Sequence, residues 1–187
     1  MFKDEIRIIG WDDASFIRGR VKWVRLVGAI VRGGKWLDGL LTVNVRYDGL
    51  DVTNKIVNVV NKSRHKEQLR VIMTDGISFA GFNLIDIKVL NEETGLPVIV
   101  IIRKKPGVKR FLKAMRIFDD FEKRKKIVEN AGRIYSFGHI YFQKAGISKK
   151  EAEEIISLSS TRANIPEPIR LAHIIATGLS GESKGRA

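Results

Sequence analysis

Apolar residues along this chain recur with two spacings, one suited to strands and one to helices. Ile6 to Trp11 is a short apolar run ending at Asp12-Asp13, which predicts a buried first strand. Val21 to Val31 is rich in β-branched residues and puts Val24, Leu26, Gly28 and Ile30 on one face. Gly33-Gly34 then marks a turn, and Leu40 to Arg46 alternates with Leu41, Val43 and Val45 facing one way. Three antiparallel strands are the expected outcome. Thr53 can cap the next segment, where Ile56, Val57, Val59 and Val60 stand at helical spacing. Leu69 to Thr74 reads as a strand ending at Asp75-Gly76, and Phe82 to Leu90 as a helix closed by Glu93-Thr94-Gly95. Pro97 to Ile102 has no polar side chain, as a central strand covered on both faces requires.

Farther along, Val108 to Asn130 predicts one long amphipathic helix, with Val108, Phe111, Leu112, Met115, Phe118 and Phe121 as its apolar stripe. Ile134 to Phe142 is short, aromatic and extended. Ser148 to Ser159 is a helix with Ser148 and Glu151 as a capping box. Pro166 to Thr177 is a last helix, and the Gly/Ser/Lys/Arg-rich tail from Gly178 is expected to fray. The order β-β-β-α-β-α-β-α gives a mixed α/β sheet flanked by helices. We expect a single domain over 1–187, with a helical C-terminal extension packed on it from about residue 145.

At 187 residues and 44% hydrophobic, the chain can build a full core. No apolar run approaches the roughly 20 residues that span a bilayer. Met1 to Arg7 carries charges of both signs without a following apolar run, so neither a membrane anchor nor a secretory signal is expected. The chain has no cysteine, which excludes thiolate metal sites, iron–sulfur clusters and cysteine nucleophiles and suits a reducing cytoplasm. Three scattered histidines, His139 and His173 among them, lack metal-ligand spacing and are expected to pack or hydrogen-bond. Any metal site would then be built from oxygen ligands, which suits Mg²⁺ or Mn²⁺. The net charge of +13 favours a polyanionic partner, although a lysine-rich surface alone would also produce it.

Asp12 and Asp75 each close an apolar strand, and ligands collect outside the carboxyl ends of strands in such sheets. Asp51, just before a helix on the same sheet, can add a third oxygen ligand. Such carboxylates repel when bare and are held together by a divalent cation. Plainer roles compete: backbone-amide ligand for Asp12, helix cap for Asp51, ordinary turn for Asp75-Gly76. Asp13 is an alternative to Asp12, and Asp86 can face the site or be a solvated helix charge.

The segments Gly10-Trp11-Asp12-Asp13, Gly49-Leu50-Asp51-Val52-Thr53, Gly76 to Asn83, Pro97-Val98-Ile99-Val100 and Pro168 to His173 together resemble the archaeal endonuclease dU family. That family is related to endonuclease V, a ribonuclease-H-like nuclease acting near deaminated bases. The resemblance implies a ribonuclease-H-like mixed sheet and Mg²⁺-dependent cleavage of DNA at or near deoxyuridine, with RNA left open as a substrate. It places the metal on Asp12 (or Asp13), Asp51 and Asp75, and a charge-stabilising cation on Arg103 or Lys104. Two features of endonuclease V are missing. Phe79 to Asn83 stands where that family has His-Pro-Arg, and only Tyr47 lies where it has a Pro-Tyr-Ile-Pro wedge. These departures leave a non-catalytic nucleic-acid-binding protein as the alternative, with a small-molecule phosphohydrolase as a third reading.

Between Arg103 and Lys126 there are eleven Lys/Arg against three Asp/Glu. Lys105, Lys109, Arg110, Lys113 and Arg116 can track phosphates near the Pro97 strand, or serve as a solvated helix face. Lys123 to Lys126 is expected to be solvated. Trp36, at a hairpin tip, and Tyr47 can stack on a displaced base, although packing competes for Trp36. Trp11 and Trp23 are expected in the core. The pattern sets no oligomeric state.

Overall fold

In a computed structural model of the protein, described over residues 5–183, the first three apolar stretches form an antiparallel meander: β1 (Arg7–Asp13), β2 (Trp23–Arg32) and β3 (Trp36–Arg46). Helix α1 (Val52–Asn61) follows, then β4 (Leu69–Asp75), which lies parallel to β1. A small hairpin of β5 (Ser78–Phe79) and β6 (Asn83–Leu84) precedes α2 (Ile87–Thr94). Strand β7 (Val98–Ile102) pairs parallel to β4. After α3 (Val108–Ala114) and α4 (Phe121–Asn130), β8 (Tyr135–Phe137) and β9 (Ile140–Ala145) return to the sheet antiparallel. Helices α5 (Lys149–Ser159) and α6 (Glu167–Gly178) follow. The seven-stranded sheet runs β3-β2-β1-β4-β7-β9-β8.

Strand periodicity sorts the core into two layers. Ile9, Trp11, Ile72, Val98 and Val100 point to one face and pack with Val52, Ile56, Ile87 and Leu90 of α1 and α2. Ile8, Val71, Met73, Ile99 and Ile101 point to the other and pack with Ile155, Ile156 and Ile169 of α5 and α6. By the same parity, Asp12 and Asp75 belong to the α6 face, whereas Asp13 belongs to the α1 face.

Gly10 sets the seating of α6. A Cβ there would collide with the Pro168 carbonyl and lie 2.7 Å from the Ile169 amide nitrogen, so only glycine lets the helix start rest directly on β1. The predicted Ser148–Glu151 capping box is present at α5.

Several expectations are corrected. Helix α1 starts at Val52, so Thr53 lies inside it; its hydroxyl accepts from the Asp86 amide at 2.9 Å instead of capping. The Phe82–Leu90 segment is not one helix. Its start pairs as a strand, and α2 begins only after Asp86, whose carboxylate accepts from the Lys88 and Val89 amides. The long helix over 108–130 breaks. A tight turn at Met115–Ile117 leads to an extended Phe118, whose ring packs on Phe82 and under the Arg124 guanidinium. The aromatic stretch near the end is a hairpin that widens the sheet by two strands. Trp11 is buried as expected, but Trp23 is 44% exposed, lying beside the Arg46 guanidinium. Of the tail expected to fray, residues 184–187 lie outside those described. No described helix is long and apolar enough to cross a membrane.

Candidate metal centre and cleft

Strands β1 and β4 are parallel neighbours, so their final residues emerge side by side. Asp12 and Asp75 share a face there, and α6 lays His173 over them. His173 Nδ1 is 2.7 Å from Asp12 Oδ2, while Asp12 Oδ1 accepts from the Asp13 amide. One ligand atom from each of Asp12, Asp75 and His173 lies within 4.8 Å of the others. Two carboxylates and an imidazole at this spacing can hold one divalent cation.

His173 was missed by the sequence reading, which expected its ring only to pack or hydrogen-bond. A signal was present. Ile169, Ala172 and Ala176 are the buried stripe of α6, and His173 sits four residues after Ile169, on the edge of that stripe. A polar ring next to a stripe that faces strand ends has reason to point at whatever those strands carry.

The third carboxylate near this centre is Asp13, and Asp51 is elsewhere. Asp13 Oδ2 accepts from the Ala80 amide at 2.6 Å and lines the same cleft. Asp51 stands outside the cleft; its Oδ1 accepts from the Arg46 amide and from Asn83 Nδ2. It organises the loop before α1, and the predicted ligand set is corrected accordingly. Asp86 is likewise spent, capping α2 and accepting from Asn130 Nδ2 at 2.9 Å.

The cluster carries surplus negative charge. Burial pushes the Asp13 carboxyl up to about 6, with the Asp12 and Asp75 charges adding to the rise and the Ala80 N–H opposing it. Burial, reinforced by Asp12, also lifts Asp75 to about 6, against the charge and hydrogen bond of Arg103. His173 is raised, chiefly by its hydrogen bond to Asp12.

The open cleft around these groups has a volume of about 730 Å³. Arg103 reaches Asp75 with its guanidinium, and the exposed Lys104 stands at the rim. Lys105, Lys109, Arg110, Lys113 and Arg116 are all exposed along the following loop and α3. Tyr47 lines an adjoining recess with Asp13, Phe16 and Arg18, its ring edge-on to Phe16. Trp36 is 59% exposed, so packing does not account for it, but it lies at the wrong end of the sheet for stacking at the cleft. It pairs with Arg32, which pairs with Arg7 at the opposite end of β1 from Asp12.

A second polar cluster lies across the 76–83 loop. Arg124, expected to be solvated, is 3% exposed. Its guanidinium pairs with Asp120 and donates to the carbonyls of Asp48, Gly49 and Phe82. Asp48 Oδ1 in turn accepts from the Phe82 amide. This knot holds Asp48 and Ala80 at φ 53° and 45°, a left-handed conformation costly for residues with a Cβ. Ala80 is the residue whose N–H holds Asp13.

A family model described as Endonuclease dU matches residues 4–180. The chain belongs to the endonuclease dU family. The UPF0215 protein of Methanothermobacter thermautotrophicus is 52% identical over 190 residues, spanning 99% of this chain and 93% of that one. A solved structure from Archaeoglobus fulgidus, described as a protein of unknown function, has a TM-score of 0.88 at 39% identity and covers 94% of this chain and 98% of its own. Ciona intestinalis endonuclease V, solved in complex with a 24mer DNA containing an inosine followed by a ribo-adenosine, has a TM-score of 0.58. It covers 90% of this chain and 83% of its own at 12% identity, a likeness of fold. The chain therefore has a ribonuclease-H-like fold. Family and fold together support a nuclease.

Proposed function

We propose that this protein is a metal-dependent endonuclease that cleaves DNA at or near deaminated bases such as deoxyuridine. The observation that carries the reading is the meeting of Asp12, Asp75 and His173 at the ends of two neighbouring parallel strands. The donor set fits a hard divalent cation, Mg²⁺ or Mn²⁺, with carboxylate oxygens dominating and one imidazole tolerated. The raised Asp13 and Asp75 carboxyls support it further, because such groups are most stable as anions beside a cation. When bound there, the cation would supply an activated water and stabilise charge building on a phosphate.

The chain's own groups divide the remaining work. Asp12 and Asp75 provide the anionic oxygens. His173 donates its Nδ1–H to the Asp12 carboxylate and fixes its orientation, which leaves Nε2 of the neutral ring available to a cation. Arg103 sets Asp75 and, with Lys104, meets an incoming phosphodiester at the cleft rim. The exposed cations from Lys105 to Arg116 give a sequence-independent hold on the backbone, with a corresponding salt dependence.

The test uses duplex oligonucleotides carrying one uracil, one hypoxanthine or no lesion, incubated with and without Mg²⁺. Metal-dependent nicking that disappears in Asp12→Asn and Asp75→Asn is expected. Tight binding without nicking in any divalent cation would instead favour a protein that holds nucleic acid without cutting it.

A further inference from the structure

Next to the cleft, and sharing Gly76, Ser78 and Ile102 with its wall, lies a second cavity of about 490 Å³. Its lining is mostly apolar, with Ile77, Ile102, Phe111, Leu112 and Ile134 around it. Its volume falls in the roughly 300–1,000 Å³ range of small-molecule sites. The nuclease reading gives no role to this space.

One polar side chain in that lining is not used up by the fold. Gln143, opposite Val100 in the β7–β9 pairing, is 5% exposed. Its Nε2 donates to the Gly132 carbonyl at 2.9 Å. That bond fixes which way the carboxamide faces, since an oxygen could not donate to a carbonyl. No hydrogen-bond partner for Oε1 is found among the described residues, and Gln143 lines the cavity, so this oxygen is open to a donor that enters there. The carboxamide therefore presents an acceptor of set orientation in a mostly apolar chamber that shares a wall with the cleft.

We infer that this cavity receives the deaminated base itself, swung out of the duplex, and that Gln143 Oε1 accepts a hydrogen bond from its ring N–H. This rests on the nuclease reading above. Deamination turns a ring nitrogen that accepts into one that donates: cytosine N3 becomes uracil N3–H, and adenine N1 becomes hypoxanthine N1–H. A fixed amide oxygen facing that atom binds the altered base and opposes the lone pair of its parent. The apolar walls, with the Phe111 ring among them, replace the stacking lost on extrusion, which costs a few kcal/mol and least at a mismatch.

The full-length protein is tested on duplexes that differ only in uracil or cytosine opposite one guanine. The readout is the ratio of single-turnover cleavage rates. Gln143→Leu removes the acceptor, and Leu112→Trp fills the chamber from another wall; each is first checked for a cooperative thermal melt. Each is expected to lower the uracil-to-cytosine ratio roughly tenfold or more, as for losing a buried hydrogen bond. In the wild-type protein, the Gln143 side-chain amide NMR signals should shift with the uracil duplex more than with the cytosine duplex. This readout needs no variant. Retained preference in both variants, or amide signals that do not distinguish the duplexes, overturns the assignment and leaves the nuclease reading standing. Failure of the wild type to bind or cut either duplex overturns both.

Discussion

Two polar clusters flank the 76–83 loop, and they are built on opposite terms. Around Arg124, a buried cation has an acidic partner and three carbonyls to donate to, so the charge is matched within the chain. Around Asp12, three carboxylates share one arginine and one histidine, and two of the three have pKa values pushed up to about 6. A matched cluster holds a fold together. A cluster left with unmatched charge destabilises the fold unless something else binds, and such a surplus is what the proposed cation site calls for. The Ala80 N–H, which holds Asp13, ties the first cluster to the second.

The largest expected effect separates the clusters by what they lose. Asp12→Asn or Asp75→Asn should lower cleavage by about a thousandfold or more, since several kcal/mol of charge stabilisation goes with the site. The same variants should melt no lower than wild type without metal, because repulsion is relieved. Arg124→Ala should act the other way, costing about 2–4 kcal/mol in urea unfolding by stranding buried carbonyls. If Arg124→Ala is neutral, the knot is not structural and the contrast fails.

Gly10→Ala tests the seating of α6. Displacing the helix start should cost about 1–3 kcal/mol. It should also lower cleavage by about 10–100-fold through the shifted His173, as expected for a group that orients a ligand. The smallest effect concerns pH. Asp13 and Asp75 titrate near 6 when folded against 3.8 for the free side chain, so between these values the folded state binds more protons. Stability of the metal-free protein should therefore fall as pH rises from about 4 through about 6. The raised His173 adds a loss of the same sign as pH rises through its own folded value. Added Mg²⁺ should remove most of this slope in thermal melts recorded across that range.

Much of the fold was legible because strand and helix periods are clear where each element has one wet face or none. The three-strand meander, the apolar β7 and the capped α5 are of this kind. What was not legible depends on contacts distant in sequence. The 108–130 helix has an unbroken apolar stripe, and only Phe82 and Arg124 give Phe118 a reason to leave it. At the site, Asp12 and Asp75 were legible from strand ends, and the endonuclease dU resemblance identified the family. Asp51 looked equally suitable by position, but Asn83, 32 residues away, claims its carboxylate. His173 joins through a helix 161 residues from Asp12, seated by Gly10, a contact that no local pattern carries.

The most direct test of a cation held by Asp12, Asp75 and His173 is anomalous diffraction from crystals soaked in Mn²⁺. The account predicts a peak in coordination contact with both carboxylates, reduced or lost in Asp75→Asn crystals. A peak at Asp51, or none between Asp12 and Asp75 at saturating Mn²⁺, would contradict it.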